Sequence, residues 1–130
     1  TNVTFSGNVA SIRGGAVLNE GASPTFRNVT FTGNSAPVGT GGAIRNVINA
    51  SGASSNPQIQ NSILWGNGTD EITSDGTGST TVVDSIVQGG FGGVNVLNAN
   101  PLLASLANNG GFTQTHALNA GSPAIDAGGA

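Results

Sequence analysis

The sequence predicts an all-β parallel β-helix, a solenoid of about four to five three-faced coils carrying an irregular C-terminal segment. Three recurring segments predict it. Asn2-Val3-Thr4-Phe5-Ser6-Gly7-Asn8 returns almost unchanged as Asn28-Val29-Thr30-Phe31-Thr32-Gly33-Asn34. Weaker copies follow at Asn61-Ser62-Ile63-Leu64-Trp65-Gly66-Asn67 and Asp84-Ser85-Ile86-Val87-Gln88-Gly89-Gly90. These copies start 26, 33 and 23 residues apart, inside the roughly 20–50 residue period of stacked repeats. Gly14-Gly15-Ala16-Val17-Leu18-Asn19 and Gly41-Gly42-Ala43-Ile44-Arg45-Asn46 form a second marker, 27 residues apart. A third marker, Pro24-Thr25-Phe26, Pro57-Gln58-Ile59 and Thr80-Thr81-Val82, precedes each next copy of the first. Three short β-type segments in fixed order give a coil three faces.

The first unit runs from about Thr1 to Arg27. Alternation places Val3 and Phe5 on one side of its first strand and Thr4 and Ser6 on the other. Gly7-Asn8 ends that strand, since both residues tolerate left-handed backbone angles. Nothing resembling the polar cap that solenoids use precedes the first strand. The second unit, Asn28 to Gln60, sets Phe31 over Phe5, Ile44 over Val17 and Ile59 over Phe26. Its extra residues, Ile48 to Ser55, read as a loop bulging from one corner, where solenoids accept insertions. The third unit continues with Leu64, Ile72 and Val82. Rows of Phe5, Phe31, Leu64 and Val87, of Val17, Ile44, Ile72 and Val94, and of Phe26, Ile59 and Val82 make the expected core. Asn8, Asn34 and Asn67 stack at one corner, where side-chain amides form ladders. Coils are expected over residues 1–97 and a covering segment of the same domain over 98–130. Within that segment Phe112–Leu118 alternates as a strand, and Leu102–Ala107 is expected to make one helical turn.

Composition narrows the function classes. Only 7% of the 130 residues are charged, against roughly 25% in typical soluble domains. Sixteen Asn and 22 Gly sit at repeat corners rather than in low-complexity runs. The net charge of -3 and the regular apolar period argue against disorder. Three Arg and no Lys cannot build a phosphate-tracking patch or dock on anionic lipid, so neither nucleic acid nor membrane insertion is expected. No run approaches the ~18 apolar residues of a membrane span. The absence of Cys excludes disulfides and thiolate metal sites.

The Asn-x-Thr-Phe-x-Gly-Asn and Gly-Gly-Ala-Val/Ile repeats resemble those of bacterial polymorphic outer membrane proteins and related right-handed β-helix surface proteins. The stretch from Asn100-Pro101-Leu102-Leu103 through Gly110-Gly111-Phe112-Thr113-Gln114-Thr115-His116 to Pro123-Ala124-Ile125-Asp126-Ala127-Gly128 is similar to the C-terminal signature of choice-of-anchor Q domain proteins. The resemblance implies a secreted or cell-surface right-handed β-helix, and it fixes no activity.

Candidate site residues are few. In the third and fourth units Ile63, Trp65 and Ile86 stand where earlier units carry Thr or Ser, so an outward apolar stripe needs cover or a partner. The C-terminal segment folding back over it is one reading; a self-association surface, joined by Val3 and Phe5 of the uncapped first unit, is the other. Asp70, Glu71 and Asp75 form the densest acidic stretch and are weak calcium candidates. Lyases on this fold combine clustered acids with a basic residue, but in the expected register no Arg falls near the acids, and Arg27, whose repeat equivalents are Gln60 and Val83, is expected to face solvent. His116 reads as a packing residue and Asp126 as a turn cap. Trp65 and Phe91 are the aromatic residues expected outside the core rows, thin support for sugar stacking. No catalytic residue and no cofactor is expected. The function expected is a non-catalytic extracellular structural or adhesive module, its partners being copies of itself stacked head to tail or cell-envelope and matrix components. A carbohydrate-binding or polysaccharide-cleaving β-helix is the alternative.

Overall fold

A computed structural model describes residues 1–129, which form twelve strands and no helix. The first unit contributes β1 (Val3–Ser6), β2 (Val17–Glu20) and β3 (Thr25–Arg27), and the second β4 (Val29–Thr32), β5 (Ile44–Val47) and β6 (Gln58–Gln60). The third contributes β7 (Ile63–Trp65), β8 (Ile72–Ser74) and the start of β9 (Thr81–Val87). The rest of β9 opens a fourth unit that ends with β10 (Val94–Leu97). β11 (Leu103–Ala107) and β12 (Thr115–Leu118) close the chain as an antiparallel pair.

All other pairings are parallel and join one unit to the next. β2, β5 and β8 make a three-stranded sheet; the remaining strands join in the order β1-β4-β7-β9-β6-β3, with β10 also on β9. β9 belongs to two faces at once, because its first half pairs with β6 and its second half with β7, while β10 follows it across the bend. The bend between those halves falls at Asp84, whose φ is 46°. Asn2, Asn28, Asn61 and Asn95 occupy the equivalent bend beside the other strands of this row, with φ of 56°, 54°, 49° and 52°. A side chain with Cβ rarely enters this left-handed region, and Asn and Asp are the usual exceptions. The Asn that opens each repeat therefore marks a second left-handed position, in addition to the glycine that ends the strand, where Gly7 has φ of 69° as expected.

Two of the three expected rows form as read. Phe5, Phe31, Leu64 and Val87 stack in register, as do Phe26, Ile59 and Val82. Phe5 and Phe31 are stacked with ring centroids 4.9 Å apart, and Phe26 meets Phe31 edge-on at 5.6 Å. Val17, Ile44 and Ile72 form the remaining row, but Val94 does not continue it. Val94 pairs with Val83 instead, because only six residues separate Val87 from Val94 and the fourth unit has no second face. Phe91, expected outside the core, packs against the core cluster in this shortened turn.

The second corner needs glycine. A Cβ on Gly42 would fall on the Asn67 carbonyl oxygen, and one on Gly15 would fall on the Gly42 carbonyl oxygen. The Gly-Gly marker is thus a place where successive units touch backbone to backbone.

The C-terminal segment departs from expectation in two places. Leu103–Ala107 is a strand rather than a helical turn, since its backbone groups pair with Thr115–Leu118. Phe112 lies outside that strand and is fully exposed.

Leu64→Ala, which empties a fully buried position, should cost about 2–5 kcal/mol in urea denaturation. At the bend, Asn28→Val should be less stable than Asn28→Gly by about 1–2 kcal/mol, the left-handed penalty of a Cβ.

Candidate functional site

A directional ladder runs down the corner after the first face. Asn8 Nδ2 donates to Asn34 Oδ1 at 2.7 Å, and Asn34 Nδ2 donates to Asn67 Oδ1 at 2.7 Å. The backbone N–H of each of these residues donates to the same acceptor at 3.0 Å. Each buried Asn also sends Nδ2 to the preceding unit's carbonyl, Asn34 to Phe5 and Asn67 to Phe31, both at 2.9 Å. Asn34 and Asn67 are 1% and 0% exposed, so an unmatched donor here would carry its full desolvation cost.

The fourth unit has no Asn at this corner, and Glu71 replaces it. Its carboxylate accepts from Asn67 Nδ2 at 2.6 Å and from Asn67 N–H at 3.2 Å. Burial raises the Glu71 pKa above 4.5, while the hydrogen bonds from Asn67 and the Gly66 backbone oppose that rise. At the opposite end Asn8 Oδ1 accepts from no described residue. The ladder is open at the first unit and closed at the third.

A parallel ladder on the second face has the same direction, with Asn19 Nδ2 donating to Asn46 Oδ1 at 2.8 Å. Asn46 Nδ2 then donates to Ser74 and Thr80 hydroxyls. The outer edges of β1 and β2 have no strand beside them among the described residues. Val3 is 42% exposed there and Phe5 half-buried.

Ile63 and Ile86 lie in register on the outward side of the first face, followed by Leu97. The C-terminal segment crosses them: Ile63, Ile86 and Leu97 share a cleft with Leu118, Ala124 and Ala127. Asn61 clasps the end of this segment, donating from Nδ2 to the Gly129 carbonyl at 2.9 Å and accepting from Gly129 N–H at 3.0 Å. His116 fixes the other end. Its Nδ1 lies 2.7 Å from the Ala104 carbonyl, which only accepts, so Nδ1 carries the proton. In the neutral ring Nε2 then accepts from the Ser6 hydroxyl at 3.2 Å. Trp65 is half-buried, in register with Thr32.

The acidic stretch does not converge. Glu71 points into the corner, Asp70 accepts from Gly39 N–H at 2.9 Å, and Asp75 is ion-paired with Arg45. Among the described residues no three His, Asp or Glu side chains are arranged to hold a metal ion. The Arg45–Asp75 pair corrects the expectation that no Arg approaches the acids. Asn46 and Ser74 are in register, which brings Asp75 within reach of the long Arg45 side chain on the preceding unit. Arg27 is exposed and bonds Gln60 at 2.6 Å. Asp126 is itself the left-handed residue of its turn, and Ser122 Oγ supplies the cap by accepting from Ala124 N–H at 3.1 Å.

The geometry defines a β-rich repeat protein whose units pair in parallel. The model of the Chlamydia polymorphic membrane protein repeat matches residues 2–20 and 28–47. Those matches take in β1, β2, β4 and β5 with the corner residues Asn8, Asn34, Asn19 and Asn46. They cover under a third of the chain, and the segment resembling the choice-of-anchor Q signature lies outside them. The comparisons with curated proteins and with solved structures produced no match.

Glu71 makes stability depend on pH. With its pKa raised on folding, the folded chain holds a proton that the unfolded chain has released. Stability from this group is therefore present at low pH and falls as pH rises from about 4.5 through the raised value. Urea denaturation across pH 4–7 should show wild type losing stability relative to Glu71→Gln as pH increases.

Proposed function

We propose that the chain is a non-catalytic structural or adhesive module of a cell surface, built as a right-handed β-solenoid. The repeat it shares with Chlamydia polymorphic membrane proteins supports the surface assignment. The observation that carries the structural role is the polarity of the Asn8–Asn34–Asn67–Glu71 ladder. Among the described residues the first unit has an acceptor at Asn8 that is not used, unpaired outer edges on β1 and β2, and part-exposed Val3 and Phe5, and these support association through that unit. At the far end Glu71 stops the ladder and Phe91 covers the core. Copies meeting through the first unit on both sides make a closed pair, whereas head-to-tail stacking gives an open filament. Exposed Val9, Ile12 and Val38 on the loops beside this end add apolar surface for adhesion.

Carbohydrate binding is the second reading. A cleft of about 220 Å³ beside His116 is lined by Thr4, Thr30, Thr113 and Thr115 with Asn2 and Asn28. Hydroxyls and amides of this kind suit a neutral sugar.

Sedimentation velocity with negative-stain microscopy tests the first reading. Association should grow with concentration and be abolished by Val3→Lys. Fibres would assign head-to-tail stacking, and a monomer at every concentration would remove self-association. Binding on a glycan array that is lost in Thr30→Val would favour the second reading.

A further inference from the structure

We infer that the cleft beneath the C-terminal segment is a binding site for a small hydrophobic cation, a compact cycloalkyl or aryl amine. The cleft holds about 210 Å³ between the outward side of the first face and the segment that crosses it. An apolar cavity of about 150 Å³ takes benzene, so a six-membered ring fits here with room for a head group.

The segment leaves this space open by its choice of residues. Ala124, Ala127 and Gly128 face the cleft. The larger side chain, Ile125, is 48% exposed and does not line it. Interiors ordinarily fill to crystal-like density, and one leucine at 124 or 127 would do so. Ile63, Ile86 and Leu97 give the floor its apolar character.

The head group is specified by Asp84. The other bends of this row carry Asn, namely Asn2, Asn28, Asn61 and Asn95. Asn satisfies the backbone there as well as Asp does, so the bend does not account for the charge. Of the three bend residues that line the cleft, Asn61, Asp84 and Asn95, Asp84 alone brings a charge. Asp84 Oδ1 accepts from Asn95 Nδ2 at 2.8 Å, and Oδ2 has no hydrogen-bond partner among the described residues. No Arg or His lines the cleft, and the chain has no Lys. One negative charge above apolar walls selects an ammonium on a hydrocarbon body, through a charge-assisted hydrogen bond.

Methyl NMR titrations of the whole chain with cyclohexylammonium, cyclohexanol and cyclohexanecarboxylate test the site. Cyclohexylammonium should shift the methyl signals of Ile63, Ile86, Ala124 and Ala127 saturably at millimolar concentration, and the carboxylate should not. Asp84→Asn restores the residue found in neighbouring units and should keep the fold. It should weaken the amine about ten-fold, the scale of one charge-assisted hydrogen bond, and leave the alcohol unchanged. Ala127→Leu should abolish binding of both. Absence of saturable shifts, shifts away from the cleft methyls, or amine affinity unchanged in Asp84→Asn would each overturn the assignment.

Discussion

Parallel stacking forces every unit to return to the same height, whatever its length. The copies are 26, 33 and 23 residues apart, yet Phe5, Phe31 and Leu64 stay in one row. Vertical hydrogen bonds between identical corner side chains hold that register. Because Asn34 and Asn67 are buried, a slipped register would strand several donors and acceptors, each costing about 1–3 kcal/mol. Length differences are pushed into places the ladder does not constrain, chiefly the loop from Ile48 to Ser55, where Asn49 Oδ1 accepts from Ser51 and Ala53 N–H.

A ladder of amides creates a problem at each end, and the two ends differ. An amide has both donor and acceptor and can continue indefinitely, whereas a carboxylate only accepts. Glu71 is thus a stop, at the price of burying a charge. The raised pKa records that cost.

Much of this was legible because the repeat is written in residue identity. Phe5 over Phe31 and Ile44 over Val17 follow from aligning copies, and the Asn8–Asn34–Asn67 corner follows with them. What stayed hidden depends on positions with no counterpart in the repeat. Glu71 follows a corner residue by only four positions and looks like part of an acidic loop. The Arg45–Asp75 pair depends on a long side chain reaching across units. Val94 was misplaced because counting faces assumes every unit has three, and the fourth turns back after Val87. The bend residues were visible at the head of every copy, but single-letter recurrence does not distinguish a left-handed backbone from a ladder. β11 and β12 lie beyond the repeat, where a run such as Leu103-Ala104-Ser105-Leu106-Ala107 suits helix or strand until its partner is known.

Stacked repeats usually interact only with their neighbours, so stability is a sum of local terms. Here the C-terminal segment breaks that rule. His116 reaches Ser6, 110 positions earlier, and Gly129 reaches Asn61, 68 positions earlier. These tethers also shape the response to tension. A simple stack pulled from its ends peels one unit at a time, like a zipper. With the last strands fastened back on the first unit and Gly129 clasped to Asn61, a load drawn through the C-terminal segment must part both fastenings before the units can peel. The molecule under load should behave as a buckled strap, resisting as one piece until the fastenings yield and then opening in steps.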